Sequence, residues 1–481
     1  MFYPSIHSAS RACLAATGIV VYLLAVPGWL GAMPSFARQT SLGCQACHNS
    51  VPRLGAAGEE FLWRGFRAGG DNGEPSHAWD GKNLFDLVSL RLISSADHAS
   101  FQIPPAGIAD SAVHVPRLLG LSVAGNLWQS AGIWLDGDYD FSQQKPLFHI
   151  QRGFVVIHDL GPPGVAHIKL GLFEHGFLLP LQPRQLLDGH TEPRVAQSTP
   201  SYTTRWGNTP LAYAHKFYGL TAGIDSTADD FNWVVGQGSM LHHEGDDGVA
   251  LYGRPWGPAS GFIYQLGMVQ AQRVDSESDR LDAYAVLRYD FQLANGTRWQ
   301  TTVFQYHANH AALAVLPLNG SSVKADNGDT SIQRTGFGFH AAWDRYELEG
   351  VYVMDRMDEP QFNNAALSDG TWELQAGGYS LQGLWHYRDD TVIFARIDSM
   401  SPGGLRYLPT AVDAAQTQIN NWQGVLGLGG RYYWRETIML GAGVYLSQTP
   451  RANPWPAVLG GGIHPSANHT DYFKLLLDVI F

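Results

Sequence analysis

The chain has 481 residues and a formal net charge of −12, from 31 Lys and Arg against 43 Asp and Glu. Charged residues make up 15%, aromatics 12%, and glycines number 54, which argues against a disordered chain or a coiled coil, while the acidic balance excludes a general nucleic-acid binder, which needs a basic footprint. Three cysteines are too few for a disulfide scaffold, and many aromatics and glycines without long apolar runs fit a β-barrel membrane protein.

At the N-terminus, Arg11 precedes an apolar stretch over residues 14–30, followed by small residues at Gly31-Ala32 and Ser35-Phe36-Ala37. A basic region, an apolar core and a small-residue site predict a secretory signal peptide over residues 1–32, with an alternative end at Ala37. The other reading of this stretch is a membrane anchor. Cys13 lies before the apolar core and is removed with it. No later stretch reaches the ~18 consecutive apolar residues of a spanning helix, so the exported chain is either soluble or a barrel.

With Cys13 gone, the remaining cysteines are Cys44 and Cys47, and His48 follows directly. Cys44-Gln45-Ala46-Cys47-His48 is the c-type haem attachment pattern. Two thiols bond to the vinyl groups of one haem c, and the next imidazole ligates its iron. This composition would produce such a pentapeptide by chance about once in a thousand chains. A Cys44–Cys47 disulfide and a fragment of a zinc site are the competing readings, although zinc needs two further Cys or His at finger-like spacing. For the distal side of the iron, His77 is the nearest following histidine and Met33 the nearest methionine; an open position is the other option. The segment 33–80 is thus predicted to be a monohaem cytochrome unit. No catalytic residue is identified.

From about residue 81 to 481 the sequence becomes short alternating segments. Ala283, Ala285, Leu287, Tyr289, Phe291 and Leu293 share one face; Tyr284, Arg288, Asp290 and Gln292 share the other. Ile438 to Leu446 and Ala166 to Leu172 alternate likewise, as period-two strands do. A soluble sandwich has the same period. Three features favour a membrane barrel instead. Segments run to ~9–12 residues, the length of tilted spanning strands. The last segment puts Phe473, Leu475, Leu477, Val479 and Phe481 on one face, with Lys474 and Asp478 opposite. Tight turns at Asn295-Gly296, Trp343 to Arg345, Arg388 to Asp390 and Trp434 to Glu436 alternate with long spans at 308–332, 357–371, 401–420 and 448–468, the asymmetry of outer-membrane barrels. The fold predicted is an all-β, antiparallel outer-membrane barrel of 16–18 strands, with the short haem segment plugging or capping its lumen. The parity requires residues 248–254 to be a strand.

Residues 34–66, with Pro34-Ser35-Phe36-Ala37-Arg38-Gln39-Thr40, the haem pentapeptide, Val51-Pro52-Arg53-Leu54, Gly58, Phe61 and Gly65, resemble the outer-membrane cytochrome–porin fusions, the monohaem iron oxidases of iron-oxidising bacteria. The resemblance implies a sixteen-strand barrel that oxidises extracellular Fe(II) and hands electrons to a periplasmic cytochrome or copper protein. The chain departs from that family at Gly55 to Glu59 and Leu62 to Phe66, which puts the partner-docking surface in question.

About forty residues of cytochrome can hardly form a core of their own, so the segment is expected inside the lumen. His242-His243-Glu244-Gly245-Asp246-Asp247 is expected at an outer loop, where imidazoles and carboxylates could hold Fe(II); an acidic turn is the simpler reading. Lys169, Arg288 and Asp290 are expected to line the pore, and Trp and Tyr to form interfacial girdles. Two other functions remain open: a haem-plugged porin for diffusion or uptake, and an outer-membrane cytochrome exchanging electrons with a sulfur compound or a solid acceptor.

Overall fold

A computed structural model describes residues 35–67, 84–103, 106–128, 130–141, 148–180, 246–257, 260–270, 281–309, 314–318, 321–325, 331–358, 372–407, 412–413, 423–435, 437–448 and 469–480. The signal segment, Met33, His77 and residues 242–245 lie outside them.

The N-terminal segment holds helix α1 (Ser35–Thr40), a 3-10 turn (Cys44–Ala46), strands β1 (His48–Ser50) and β2 (Arg53–Leu54), and helix α2 (Ala56–Trp63). After a second 3-10 turn (Leu84–Leu87) come β3 (Val88–Ile103), β4 (Ala106–Trp128), β5 (Ala131–Asp140), β6 (Phe148–Ile157), β7 (His167–Phe173), β8 (Asp246–Gly253), β9 (Phe262–Gln270), β10 (Asp282–Gln292) and β11 (Arg298–Asn309). A small hairpin of β12 (Ala314–Leu318) and β13 (Ser321–Ala325) follows. The chain continues with β14 (Ser331–Trp343), β15 (Tyr346–Asp358), β16 (Trp372–Arg388), β17 (Thr391–Tyr407), the two-residue β18 (Val412–Asp413), β19 (Gln423–Arg435), β20 (Ile438–Gln448) and β21 (His469–Ile480).

Each long strand pairs antiparallel with its neighbours in sequence, and β21 pairs with β3 (Leu475↔Ala96), closing the barrel. The wall therefore has sixteen strands, with β18 a short addition beside β17 and the β12–β13 hairpin outside it. Eighteen, the upper expectation, is corrected: β7 pairs directly with β8 (His167↔Tyr252), and the wall of the described residues closes at sixteen strands. The strand required near residue 248 is present as β8.

Turns 293–297, 344–345 and 389–390 fall at one end together with 158–166 and 254–257; the strand ends at Gln270 and Asp282, Asn309 and Ser331, and Asp358 and Trp372 fall at the other. By the short-turn rule the first end is periplasmic. Strand length departs from expectation in both directions, from 7 residues in β7 to 23 in β4. The long span expected from 401 is partly strand, since β17 runs on to Tyr407.

Alternation decides what each face meets. Leu287, Val303, Leu381, Leu428, Leu440 and Leu475 point outward and stay exposed. A continuous apolar belt of this kind needs lipid, not water, against it. Trp343, Tyr346, Trp385, Tyr387 and Trp434 are exposed near the periplasmic turns, where interfacial aromatics belong. No helix among the described residues is long and apolar enough to cross a membrane. The chain is an outer-membrane β-barrel.

Inward faces carry charge, and the charges are paired. Arg334 forks onto Asp355 at 2.5 and 2.6 Å with both side chains fully buried, and Arg396 reaches Asp398 at 2.9 Å. A buried ion tolerates loss of water only when its partner and hydrogen bonds are in place.

Val303, 49% exposed in the middle of β11, tests the lipid-facing assignment. Val303→Arg is expected to cost ~2–4 kcal/mol, the range for a cation near the bilayer midplane, measured as a shift in the urea midpoint for folding into lipid vesicles. A cost under ~1 kcal/mol would place this residue at an interface instead.

Candidate functional site: a plug bearing the Cys44–His48 motif

Residues 35–67 lie inside the barrel at its periplasmic end, as the segment's length led us to expect. The contacts define the seat. The Ser35 amide donates to Ser89 Oγ at 2.7 Å, and Gln39 Nε2 donates to the Asp86 and Ala124 carbonyls at 3.0 and 2.8 Å. Tyr433 Oη donates to the Val51 carbonyl at 2.8 Å. Arg254 pairs with Glu60 at 2.9 Å, and Arg67 with Asp159 at 2.5 Å. These wall residues all lie near the periplasmic turns or beside the first barrel strand.

Two charged groups anchor the plug. Oε2 of Glu59 accepts from Arg288 at 2.6 Å, Arg298 at 2.9 Å and Gln300 at 2.9 Å. Burial alone would raise the Glu59 carboxyl, but Arg288 and Arg298 outweigh it and bring it down to about 2. On the other side, Arg53 reaches Glu347 Oε2 at 2.8 Å and also contacts Glu349; these three side chains are at most 4% exposed. Arg288 and Asp290, expected to line the lumen, do so, and Arg288 there bridges Glu59 of the plug and Asp290 of its own strand.

Aromatic packing fills the remainder. Phe36 sits 4.9 Å from Phe61 and 5.2 Å from Phe66 between ring centroids, and Phe66 lies 5.4 Å from Trp134 of β5. Beyond the plug, residues 174–180 leave β7 and turn into the lumen. Phe177 packs on Trp63 at 5.6 Å and on Tyr252 at 5.2 Å, and Pro180 lies against Gly338 of β14. This strap crosses from β7 to β14 above the plug. Lys169, the third expected pore-lining charge, is held 3.7 Å over the Phe177 ring.

The motif residues share one small structure. The amide of Ala46 donates to the Gly43 carbonyl at 3.0 Å and that of Cys47 to Cys44 at 3.2 Å, which curls both cysteines onto one turn. The Cys47 carbonyl accepts from the Gly55 amide at 2.8 Å. Helix α2 rests directly on that carbonyl, for a Cβ on Gly58 would stand 2.1 Å from it. Gly65 is needed for two reasons: its φ is +59°, and a Cβ there would overlap the His158 ring.

Cys44 and Cys47 are partly exposed, with exposed Leu42, Gln45 and Ala46 around them. His48 directs Nδ1 to the Arg53 carbonyl at 3.1 Å. A neutral imidazole donating through Nδ1 carries its lone pair on Nε2, the arrangement usual for a metal-ligating histidine. Burial pushes the His48 imidazole below its ordinary value, against the opposing pull of the Arg53 and Pro52 carbonyls, which favours the neutral form that ligation requires. The residues present fit a c-type haem. No cluster of three or more metal-binding side chains occurs among the described residues.

Other expectations are adjusted. Asp246 and Asp247 belong to β8, not to an outer loop, and Asp246 pairs inward with His175 at 2.7 Å. Within the departing stretches Gly55 to Glu59 and Leu62 to Phe66, Glu59, Trp63 and Phe66 face barrel residues, while Ala56 and Ala57 are exposed. Glu347, Glu349, Trp134, Tyr252 and Phe177 were not singled out, because nothing in the linear sequence ties them to a motif about 85 to 300 residues away.

No family profile matches the chain, and no curated protein matches it in sequence. Solved structures similar to it include an anion-selective porin from Comamonas acidovorans (14% identity, TM-score 0.48, covering 82% of this chain and 99% of that one). OmpF of Salmonella typhi (9%, 0.46, 82% and 97%) and the outer-membrane channel DcaP of Acinetobacter baumannii (10%, 0.46, 82% and 97%) are also similar.

Glu59→Gln removes the charge on which two arginines converge. Glu59 is partly exposed, so the loss falls below the cost of breaking a fully buried pair, yet faster limited proteolysis of residues 35–67 in the folded barrel is expected. The Glu59 carboxyl is depressed from 4.5 to about 2 on folding. Its stabilisation is therefore complete above about 4.5 and fades as pH falls towards about 2. Plug protection followed by hydrogen exchange should decline across that window, and more shallowly in Glu59→Gln; equal slopes would remove Glu59 as the anchor.

Proposed function

We propose that this outer-membrane barrel carries one haem c on its luminal plug and passes single electrons from extracellular Fe(II) to a periplasmic cytochrome or copper protein, acting as an Fe(II):cytochrome oxidoreductase. The observation that carries this reading is the placement of Cys44, Cys47 and His48 on a stopper seated in the lumen, with His48 Nδ1 already engaged. When bound, haem c supplies an iron that changes charge by one electron without bond rearrangement. The Cys44 and Cys47 thiols would attach it, and His48 Nε2 would ligate its iron.

The chain's own residues do the rest. The paired charges of Arg53 and Glu59 hold the plug in register with the wall. Phe36, Phe61, Phe66 and Trp134 keep water from one side of it. The iron substrate rests on the resemblance of residues 34–66 to cytochrome–porin fusions and on chemistry. Fe(II) gives up one electron, and its ferric product precipitates near neutral pH, so oxidation outside the cell keeps the solid out. His77 stays a proposal for the distal ligand, beside an open position.

The fold taken alone supports a second reading more directly. A sixteen-strand wall with a charged inner face suits a porin for diffusion or uptake, in which a haem would be structural.

Purified protein is expected to show c-type haem bands that turn to the reduced form when mixed with Fe(II) in a stopped-flow spectrometer. Cys44→Ala with Cys47→Ala should lose covalent haem. Bands that stay oxidised with Fe(II) but respond to a sulfur compound would change the donor. Rapid liposome swelling with small sugars would favour the diffusion reading.

A further inference from the structure

The His48 imidazole belongs to a hairpin that the barrel wall grips on both sides. Strands β1 and β2 pair His48 with Leu54 and Ser50 with Arg53. Between them, the Val51 carbonyl accepts from Tyr433 Oη at 2.8 Å and Arg431 Nη1 at 3.3 Å. On the opposite side the wall presents Glu347 and Glu349 of β15. Glu347 accepts from Asn49 Nδ2 at 3.0 Å and Arg53 Nε at 3.0 Å, so it holds the residues flanking the hairpin turn. It is fixed in turn by His340 Nε2 at 3.0 Å and His386 Nε2 at 2.8 Å. Glu349 takes the other arm of the Arg53 guanidinium and is itself held by Gln382 Nε2 at 2.8 Å.

The same Arg53 supplies the carbonyl to which His48 directs Nδ1. One residue thus joins the wall carboxylates, through its side chain, to the imidazole, through its backbone. We propose that Glu347 and Glu349 are positioning residues for His48: by clamping Arg53 they set the angle and strength of the hydrogen bond at Nδ1, and so the donor character of Nε2 towards a haem iron. This rests on the haem reading given above. Outer-shell partners of this kind fix ring orientation and raise ligand basicity. A more basic imidazole favours ferric iron, so loosening the clamp raises the reduction potential.

Two variants test it. Glu347→Gln removes the charge. Arg53→Lys keeps the charge and the backbone carbonyl but loses the planar fork that spans both carboxylates, so a shift there reflects orientation rather than charge. In folded, haem-carrying protein, verified by heat-modifiable electrophoretic mobility and haem staining, both variants are expected to raise the midpoint potential. A shift on the order of tenfold in the ferric–ferrous equilibrium, ~59 mV for one electron, is expected. Ferric electron paramagnetic resonance lines should also broaden as the ring samples more orientations. An unchanged potential in Arg53→Lys overturns the proposal while leaving the haem reading intact. Wild-type protein without covalent haem overturns that reading, and this inference falls with it.

Discussion

The partly buried carboxylate of Glu59 and the buried guanidinium of Arg53 hold in place a segment that has no core of its own. A sixteen-strand wall is too wide for its own side chains to fill, and a segment of about forty residues is too short to make an independent hydrophobic interior. Each lack answers the other. The wall supplies partners for Glu59 on β10 and β11 and for Arg53 on β15, and the plug supplies mass to the lumen. Buried ions of this kind add little net stability over apolar packing, yet losing one partner is costly. They therefore specify where the plug sits more than they strengthen it, while the rings of Phe36, Phe61, Phe66 and Trp134 add the apolar burial.

The conformation of the Cys44–His48 motif is consequently a property of the barrel. The turn is formed locally, by amides of Ala46 and Cys47, but its orientation passes through Arg53, Val51 and α2 to strands from β8 to β19. A free peptide of this sequence would keep the spacing of the two thiols and lose the direction of the imidazole.

This division explains what could be read in the linear sequence. Strand faces were legible because period two is a local property: Leu287 and Arg288 point opposite ways in any sheet, and they do so here. The pentapeptide was legible for the same reason, its spacing being a local pattern of five consecutive residues. The strand number was legible only to within a pair, because nothing local distinguishes a wall strand from a loop strand; the hydrogen-bonded pairing of β7 with β8 settles it at sixteen. The anchors were not legible at all. Glu59 and Arg288 are 229 residues apart, and Arg53 and Glu347 are 294 apart. Glu59 read only as one residue of a stretch departing from the family it resembles, and here it meets Arg288 and Arg298 of the wall.

Electron passage and solute passage make opposite demands on the same space. A solute needs a continuous water-filled channel wide enough for its hydration shell, whereas an electron moves best through packed matter that holds donor and acceptor at fixed separation. In the described part of the lumen, the periplasmic end is packed: plug against wall, then the strap at Phe177 against Trp63 and Tyr252. The inner face elsewhere stays charged, with Arg334–Asp355 and Arg396–Asp398 neutralising each other in place. Paired charges weaken selection for ions of one sign, and a packed floor resists bulk flow. The architecture thus combines a sixteen-strand wall with a packed plug at one end of the lumen, and the plug is where Cys44, Cys47 and His48 lie.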